Sequence, residues 1–193
     1  MGAGSPASLR SASGRGFVAV VPPPAVLDEV AARSAALDLP GTARRMVRAQ
    51  WHLTLHFLGN RVDFDAFGAA LGALAVRPGG IQFGGAGAFP SARRARLLWL
   101  GVTEGGEYLA QLHTAVGALF APLGHEPEPR RYHAHLTLAR LESPTDARPV
   151  VAALGSGPVG EPWTADAVVL FQSRTLSTGA EYEERARVTL ATT

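Results

Sequence analysis

Apolar and polar positions fall into short blocks along the 193-residue chain, with a period that switches between two and about 3.6. The run GFVAVVP at 16–22 predicts a strand closed by a proline triplet, and 25–39 predicts a helix stopped by Pro40-Gly41. A strand is expected over 46–58, ended by Gly59-Asn60, then an amphipathic helix over 62–76 with Asp63 as its N-cap. Residues 80–90 read as a Gly-rich, bent strand. The order then restarts with a strand at 95–102, a helix at 106–123 ended by Gly124, a strand at 132–141 and a short helix at 144–155. A strand at 163–175 and an alternating edge strand at 182–191, joined by the turn STGAE, close the chain.

The order β-α-β-α-β thus occurs twice, and the two copies share a tetrapeptide. His-Leu-Thr-Leu stands at 52–55 and again at 135–138, on the second strand of each copy. No G-x-G-x-x-G follows a strand, so a dinucleotide-binding doubly wound sheet is not indicated. The expected fold is α+β and bilobal: two pseudo-symmetric β-α-β-α-β lobes with antiparallel-rich sheets flank a central cleft bordered by both motif strands.

Composition narrows the picture. Hydrophobic residues make up 47% and charged residues 18%, ample apolar material for a globular domain. No uncharged apolar stretch of about 18 residues occurs, so no membrane span is read. Cysteine is absent, which excludes disulfides and thiolate chemistry and fits a cytoplasmic protein. Residues 1–15 are small and polar without an apolar centre, read as a disordered tail before one domain at 16–193. The formal charge is only +2, but all 18 basic residues are arginines, clustered at 44–45, 92–96 and 130–131. A guanidinium presents a planar fork of donors that suits phosphate, although arginine pairs also occur on solvated faces.

On a strand, residues two apart share a face. His52, Thr54 and His56 therefore face one way, and Leu53, Leu55 and Phe57 face the core. In the second copy His133, His135 and Thr137 share a face opposite Leu136 and Leu138. Burying such polar groups unpaired costs on the order of 1–3 kcal/mol each, so these faces are expected to line a wet cleft. Two imidazoles across a cleft can act as general base and general acid near neutral pH. The threonine hydroxyls can bind non-bridging phosphate oxygens. Arg140, an odd number of residues after His135, needs the strand to end or twist before it reaches the same cleft. His113, in a helix, and His125, in a loop, read as structural or solvated. A zinc hydrolase using His52, His56, His133 and His135 is an alternative, as is a non-catalytic RNA-binding module.

The paired His-x-Thr-x motifs resemble those of the two-histidine phosphoesterases, specifically the RNA 2′,3′-cyclic phosphodiesterases, also called the 2′-5′ RNA ligase family. The resemblance runs from about residue 16 to 191 through FVAVVPP, HLTLHFLGN, GAGAFPSARRARLLWLGV, YHAHLTLAR and WTADAVVLFQSR. It implies a bilobal α+β fold and metal-independent hydrolysis of a ribose 2′,3′-cyclic phosphate to the 2′-phosphate. It implies His52 and His135 as the catalytic pair, with Thr54, Thr137 and Arg140 on the phosphate. It implies Tyr132 as an aromatic that stacks on a base; His56 and His133, which the resemblance does not assign, each occur in one copy only and read from their strand faces as supports of the catalytic groups or as merely polar cleft residues. No metal or cofactor is implied; the expected partner is RNA or a nucleotide with a 2′,3′-cyclic phosphate, and the expected state a monomer. The chain departs from the family at Ala134, where proline usually precedes the second histidine, a change that removes no catalytic group. His135 is expected as base and His52 as acid.

Overall fold

The computed structural model describes residues 13–41, 43–126, 130–176 and 179–191. Most of the expected disordered tail therefore lies outside the described residues; Ser13–Arg15 belong to the first strand. The elements are β1 (Ser13–Val20), α1 (Pro24–Ala35), β2 (Ala43–Arg45), β3 (Leu53–Asp63), α2 (Phe64–Leu71), β4 (Gly79–Phe89), β5 (Ala95–Glu104), α3 (Gly106–Phe120), β6 (Leu136–Thr145), α4 (Arg148–Leu154), β7 (Pro158–Ala165), β8 (Ala167–Leu176) and β9 (Gly179–Thr189). Proline at the first turn is tolerated because its missing N–H has no partner in a helix, and α1 starts there. Asp63 caps α2 as expected, accepting from the backbone N–H groups of Asp65 and Ala66 at 3.2 and 3.1 Å. Helix α3 opens at Gly105, whose φ of +83° and close approach to the Gly80 carbonyl leave no room for a side chain. It buries Leu109, Leu112, Val116 and Phe120, one stripe at helical spacing.

The strands form one sheet in the order β7-β4-β5-β6-β3-β1-β8-β9, with β2 added to β6, and every pairing is antiparallel. The two motif strands meet at its centre. β3 and β6 pair through Leu53 opposite Leu136, the leucine that follows each motif histidine. Both leucines are fully buried in a core shared by the two halves. Helix α3 packs on β3 and α2, α2 on β8 and β9, α4 on β4, and α1 on β7.

The expected α+β organisation in two antiparallel halves is present, and the halves are built by exchange. The third strand of the first repeat, β4, pairs with β5 and β7 of the second half. The third strand of the second repeat, β8, pairs with β1 of the first and with β9, the strand that follows it in the chain. The single expected strand over 163–175 is two strands, β7 and β8, broken only at Asp166. That one residue connects opposite ends of the sheet order, so the sheet must curl round toward itself.

Candidate active site

Each motif histidine sits one residue before its strand begins. The reason is local. The ring N–H of His135 donates from Nδ1 to the carbonyl of His133 at 2.8 Å, and the His52 ring is held by the backbone of Gln50. In both copies the imidazole is tied to the backbone two residues upstream. This fixes the orientation of the ring.

Leu53 opposite Leu136 sets the register around the seam. Continued one residue each way in an antiparallel pair, it brings His52 opposite Thr137 and Thr54 opposite His135. The four side chains then occupy the corners of one patch, with the histidines on a diagonal. Such diagonal neighbours lie about 7–8 Å apart, room for a phosphate between two imidazoles.

A bulge follows in each copy at the same motif position. β3 carries an extra residue where Ala19 pairs with Thr54 and Val18 with His56. β6 carries one where Trp99 pairs with Thr137 and Leu98 with Ala139. The fourth residue of each motif, Leu55 or Leu138, is the inserted one, and the alternation inverts beyond it. Arg140 is thereby returned to the face of His135 and Thr137. In the first copy the same inversion corrects two expectations. Phe57, expected in the core, is 57% exposed and faces the cleft beside Phe17. His56, expected on the face of His52, lies on the other side of the strand and is 4% exposed, yet as expected of a cleft residue it still lines the same cavity. Its Nδ1 lies 3.1 Å from Nε2 of His125, its Nε2 lies 2.7 Å from the carbonyl of His113, and its ring stacks on that of His113 at 4.1 Å.

The four histidines of the zinc alternative are thus divided between two faces of the sheet. Among the described residues no cluster of three or more His, Cys, Asp or Glu side chains is arranged to hold a metal ion. His133 is exposed and near-parallel to His135 at 6.1 Å, with its ring edge-on to Trp99 at 4.7 Å. Tyr132 is half-buried, stacks on His113 at 4.6 Å and donates its hydroxyl to the carbonyl of Thr54 at 3.1 Å. It therefore braces one motif from the strand-entry segment of the other.

Several cleft residues are invisible to motif reading. The His52 ring stacks on Phe17 at 4.5 Å and meets Tyr182 edge-on at 5.4 Å. His135 meets the edge of Phe89 at 5.1 Å. The only signal in the sequence is that Phe17 alternates with core Val18 on β1; Tyr182 and Phe89 arrive through tertiary pairing.

Burial, more than any charge, lowers the pKa of both histidines: His52 to about 4, and His135 below its usual value. The backbone bonds to Gln50 and His133 oppose that fall, while neighbouring positive charge, including Arg140, adds to it. Both rings are therefore neutral at pH 7 in the free protein.

The surrounding cavity has a volume of about 1180 Å³. Its walls carry Arg15, Arg44, Arg96, Arg130, Arg131 and Arg140 and, among the described residues, no Asp or Glu. A third of the arginines are gathered here, in a chain whose formal charge is nearly balanced. The cavity is built to hold an anion.

The solved structures of similar fold include E. coli LigT complexed with 3′-AMP, with a TM-score of 0.76 and 23% identity over 94% of this chain and all of that one. A protein of Thermus thermophilus aligns with a TM-score of 0.74 and 23% identity over 91% of this chain and 97% of that one. Among curated proteins, the RNA 2′,3′-cyclic phosphodiesterase of Aeropyrum pernix is 33% identical over 94 residues, 48% of this chain and 53% of the relative. That of Aquifex aeolicus is 33% identical over 97 residues, 48% of this chain and 52% of the relative. The matched region spans about half the length of these curated relatives. No described helix is long and apolar enough to cross a membrane. The family model of the 2′-5′ RNA ligase superfamily matches residues 22–175, taking in both motif strands and the sheet that joins them, and the chain belongs to that superfamily.

Proposed function

We propose that the protein is an RNA 2′,3′-cyclic phosphodiesterase that opens 2′,3′-cyclic phosphate ends to 2′-phosphates by acid–base catalysis between His52 and His135. The observation that carries this reading is the motif patch itself. Two neutral imidazoles, each tied to the backbone two residues upstream, flank a space edged by two threonines in a cavity lined by arginine and, among the described residues, by no carboxylate. The curated relatives named for this activity support it.

In the reaction His135 takes a proton from water as the water oxygen attacks phosphorus. The bond from phosphorus to the 3′ oxygen breaks, and His52 gives that oxygen a proton. The products are a 2′-phosphate and a free 3′-hydroxyl. Thr54 and Thr137 donate to the non-bridging oxygens, and Arg140 balances their charge. His52 must be protonated to act as acid. The incoming phosphate supplies the negative charge that loads it, and its low intrinsic pKa then makes it a ready donor. With the 5′-hydroxyl of a second RNA end in place of water, the same groups form a bond from that oxygen to phosphorus and break the bond to the 3′ oxygen, which leaves a 2′-5′ phosphodiester and a free 3′-hydroxyl, a 2′-5′ ligation.

The test is incubation with 2′,3′-cyclic nucleotides in the presence of a chelator, with the product identified by chromatography. A 2′-phosphate, a bell-shaped pH–rate profile and a fall of about 10²–10⁴-fold in kcat for His52→Ala and for His135→Ala are expected. Wild-type turnover in either variant, or turnover abolished by the chelator, refutes the reading. A substrate with sulfur at the 3′ bridging position leaves without a proton, so it rescues His52→Ala and not His135→Ala if the roles are as assigned.

A further inference from the structure

The arginines of the cleft divide into two groups, and only one is used by the proposed reaction. Arg140 acts on both motif histidines. Arg15 and Arg44 lie farther out, on the side of β1, β8 and β9. Arg15 pairs across β1–β8 with Ser173, and Ser173 pairs across β8–β9 with Tyr182, so the three form a row over three strands. The row shares the face of Phe17 and Phe171, and Thr175 is the next residue outward on that face of β8. Arg15, Ser173, Thr175 and Tyr182 all line the cavity.

Arg44 enters from β2, where it is directly opposite Arg140 on β6. Two like charges facing each other across a strand pair are destabilising unless something of opposite sign lies with them. Its neighbour Arg45 is differently employed, donating to the carbonyls of Ser34 and Leu37. Among the described residues neither Arg15, Arg44 nor Arg140 pairs with a carboxylate. Glu184, the nearest acid on this face of β9, is held by Arg187 at 2.6 Å. The Tyr182 hydroxyl is within the field of Arg140, Arg15 and Arg44 together, while its ring edge meets His52. Tyr182 thus stands between an inner anion position, at the histidines, and an outer one.

We infer that Arg15, Arg44, Ser173 and Thr175 form a second phosphate subsite, which takes the phosphate on the 5′ side of the terminal nucleotide while the cyclic phosphate sits at His52 and His135. The inference rests on the proposed reaction, because a 2′,3′-cyclic phosphate closes the 3′ end and leaves only the 5′ side for another phosphate. Two guanidinium groups and two hydroxyls supply enough donors for a phosphodiester's two non-bridging oxygens. The preferred substrate is then an RNA chain end, with a lone cyclic nucleoside the poorer one. The same chemistry would accept the 5′-phosphate of a small nucleotide, and the experiment separates the two.

Three substrates are compared by kcat/KM: a nucleoside 2′,3′-cyclic phosphate with a free 5′-hydroxyl, the same compound with a 5′-phosphate, and a dinucleotide ending in the cyclic phosphate. The wild type should favour the dinucleotide over the 5′-hydroxyl compound by about tenfold or more, the worth of one charge-assisted hydrogen bond. That ratio should collapse toward one in Arg15→Ala and Arg44→Ala, while Arg15→Lys keeps part of it. The slope of log kcat/KM against log salt for the dinucleotide should flatten by about 0.7 in each alanine variant. Both arginines are exposed, so their removal leaves the core intact. No preference in the wild type, or a preference that survives both substitutions, overturns the subsite. A gain confined to the 5′-phosphorylated mononucleotide keeps the subsite and assigns it to small nucleotides. Absence of turnover on all three refutes the reaction instead. Equilibrium binding of the dinucleotide then decides the subsite, and equal affinity in wild type and the double variant Arg15→Ala/Arg44→Ala overturns it.

Discussion

His56 makes the stability of this protein depend on pH. It is 4% exposed, is stacked on His113 and is bonded to the His113 carbonyl and to His125, with no carboxylate among these partners. Burial chiefly lowers its pKa from 6.5 to about 4, against the opposing effect of the His113 carbonyl and with help from the charges of His113 and His125. The folded state therefore holds the neutral ring while the unfolded chain binds a proton below about pH 6.5. The sign follows: stability is full above pH 6.5 and is lost as pH falls toward 4. A gap of that size is worth about 3 kcal/mol in all, of which about 2 kcal/mol is gone by pH 5. Urea unfolding at pH 7.5 and pH 5 measures the loss. In His56→Gln, which cannot titrate, the loss between the two pH values should be smaller than in the wild type by about 2 kcal/mol. His52, also lowered to about 4, contributes a parallel loss that this variant leaves in place. An unchanged pH dependence in His56→Gln would show that the ring is not held neutral by its burial.

Arg140 is one of the charges that lower both motif histidines. Arg140→Gln should raise both pKa values and move the acid limb of the pH–rate profile to higher pH, while kcat/KM falls about tenfold or more; an unmoved limb refutes that coupling. Tyr132→Phe removes the bond to the Thr54 carbonyl and should cost about 1 kcal/mol in urea unfolding. No loss of stability in that variant would mean that water or a shifted partner replaces the hydroxyl. Leu53→Ala empties part of the core at the seam between the halves and should cost about 2–5 kcal/mol, read as a lower unfolding midpoint with an unchanged slope. A cost below about 1 kcal/mol would show that the seam is not tightly packed.

The repeat, the secondary structure and the motif pairs are legible in the sequence because each is written in local periodicity. Leu53, Leu55, Leu136 and Leu138 are buried as alternation requires. The inversions after Leu55 and Leu138 are not written that way. An inserted residue leaves no mark in composition, only a pair of consecutive buried positions, such as Leu138 and Ala139. Strict alternation therefore puts His56 and Phe57 on the wrong faces, while Arg140 reaches the cleft by the bulge on β6. Asp166 ends β7 and starts the turn into β8 without glycine or proline, so no breaker marks the boundary. The exchange of β4 and β8 between halves depends on pairing between residues far apart in the chain, which no local pattern records.

That exchange also governs when the protein can fold. Arg15 near the start of β1 has its partner at Ser173 on β8, so the first half of the sheet is completed only by a strand made more than a hundred residues later. During synthesis β1 and β3 emerge with the outer edge of β1 open, and that edge remains a template for stray strands until Ala167–Leu176 leave the ribosome. Contacts spanning so much of the chain are slow to close. The arrangement that sets two histidines face to face thus leaves the nascent chain open to aggregation until β8 has been made.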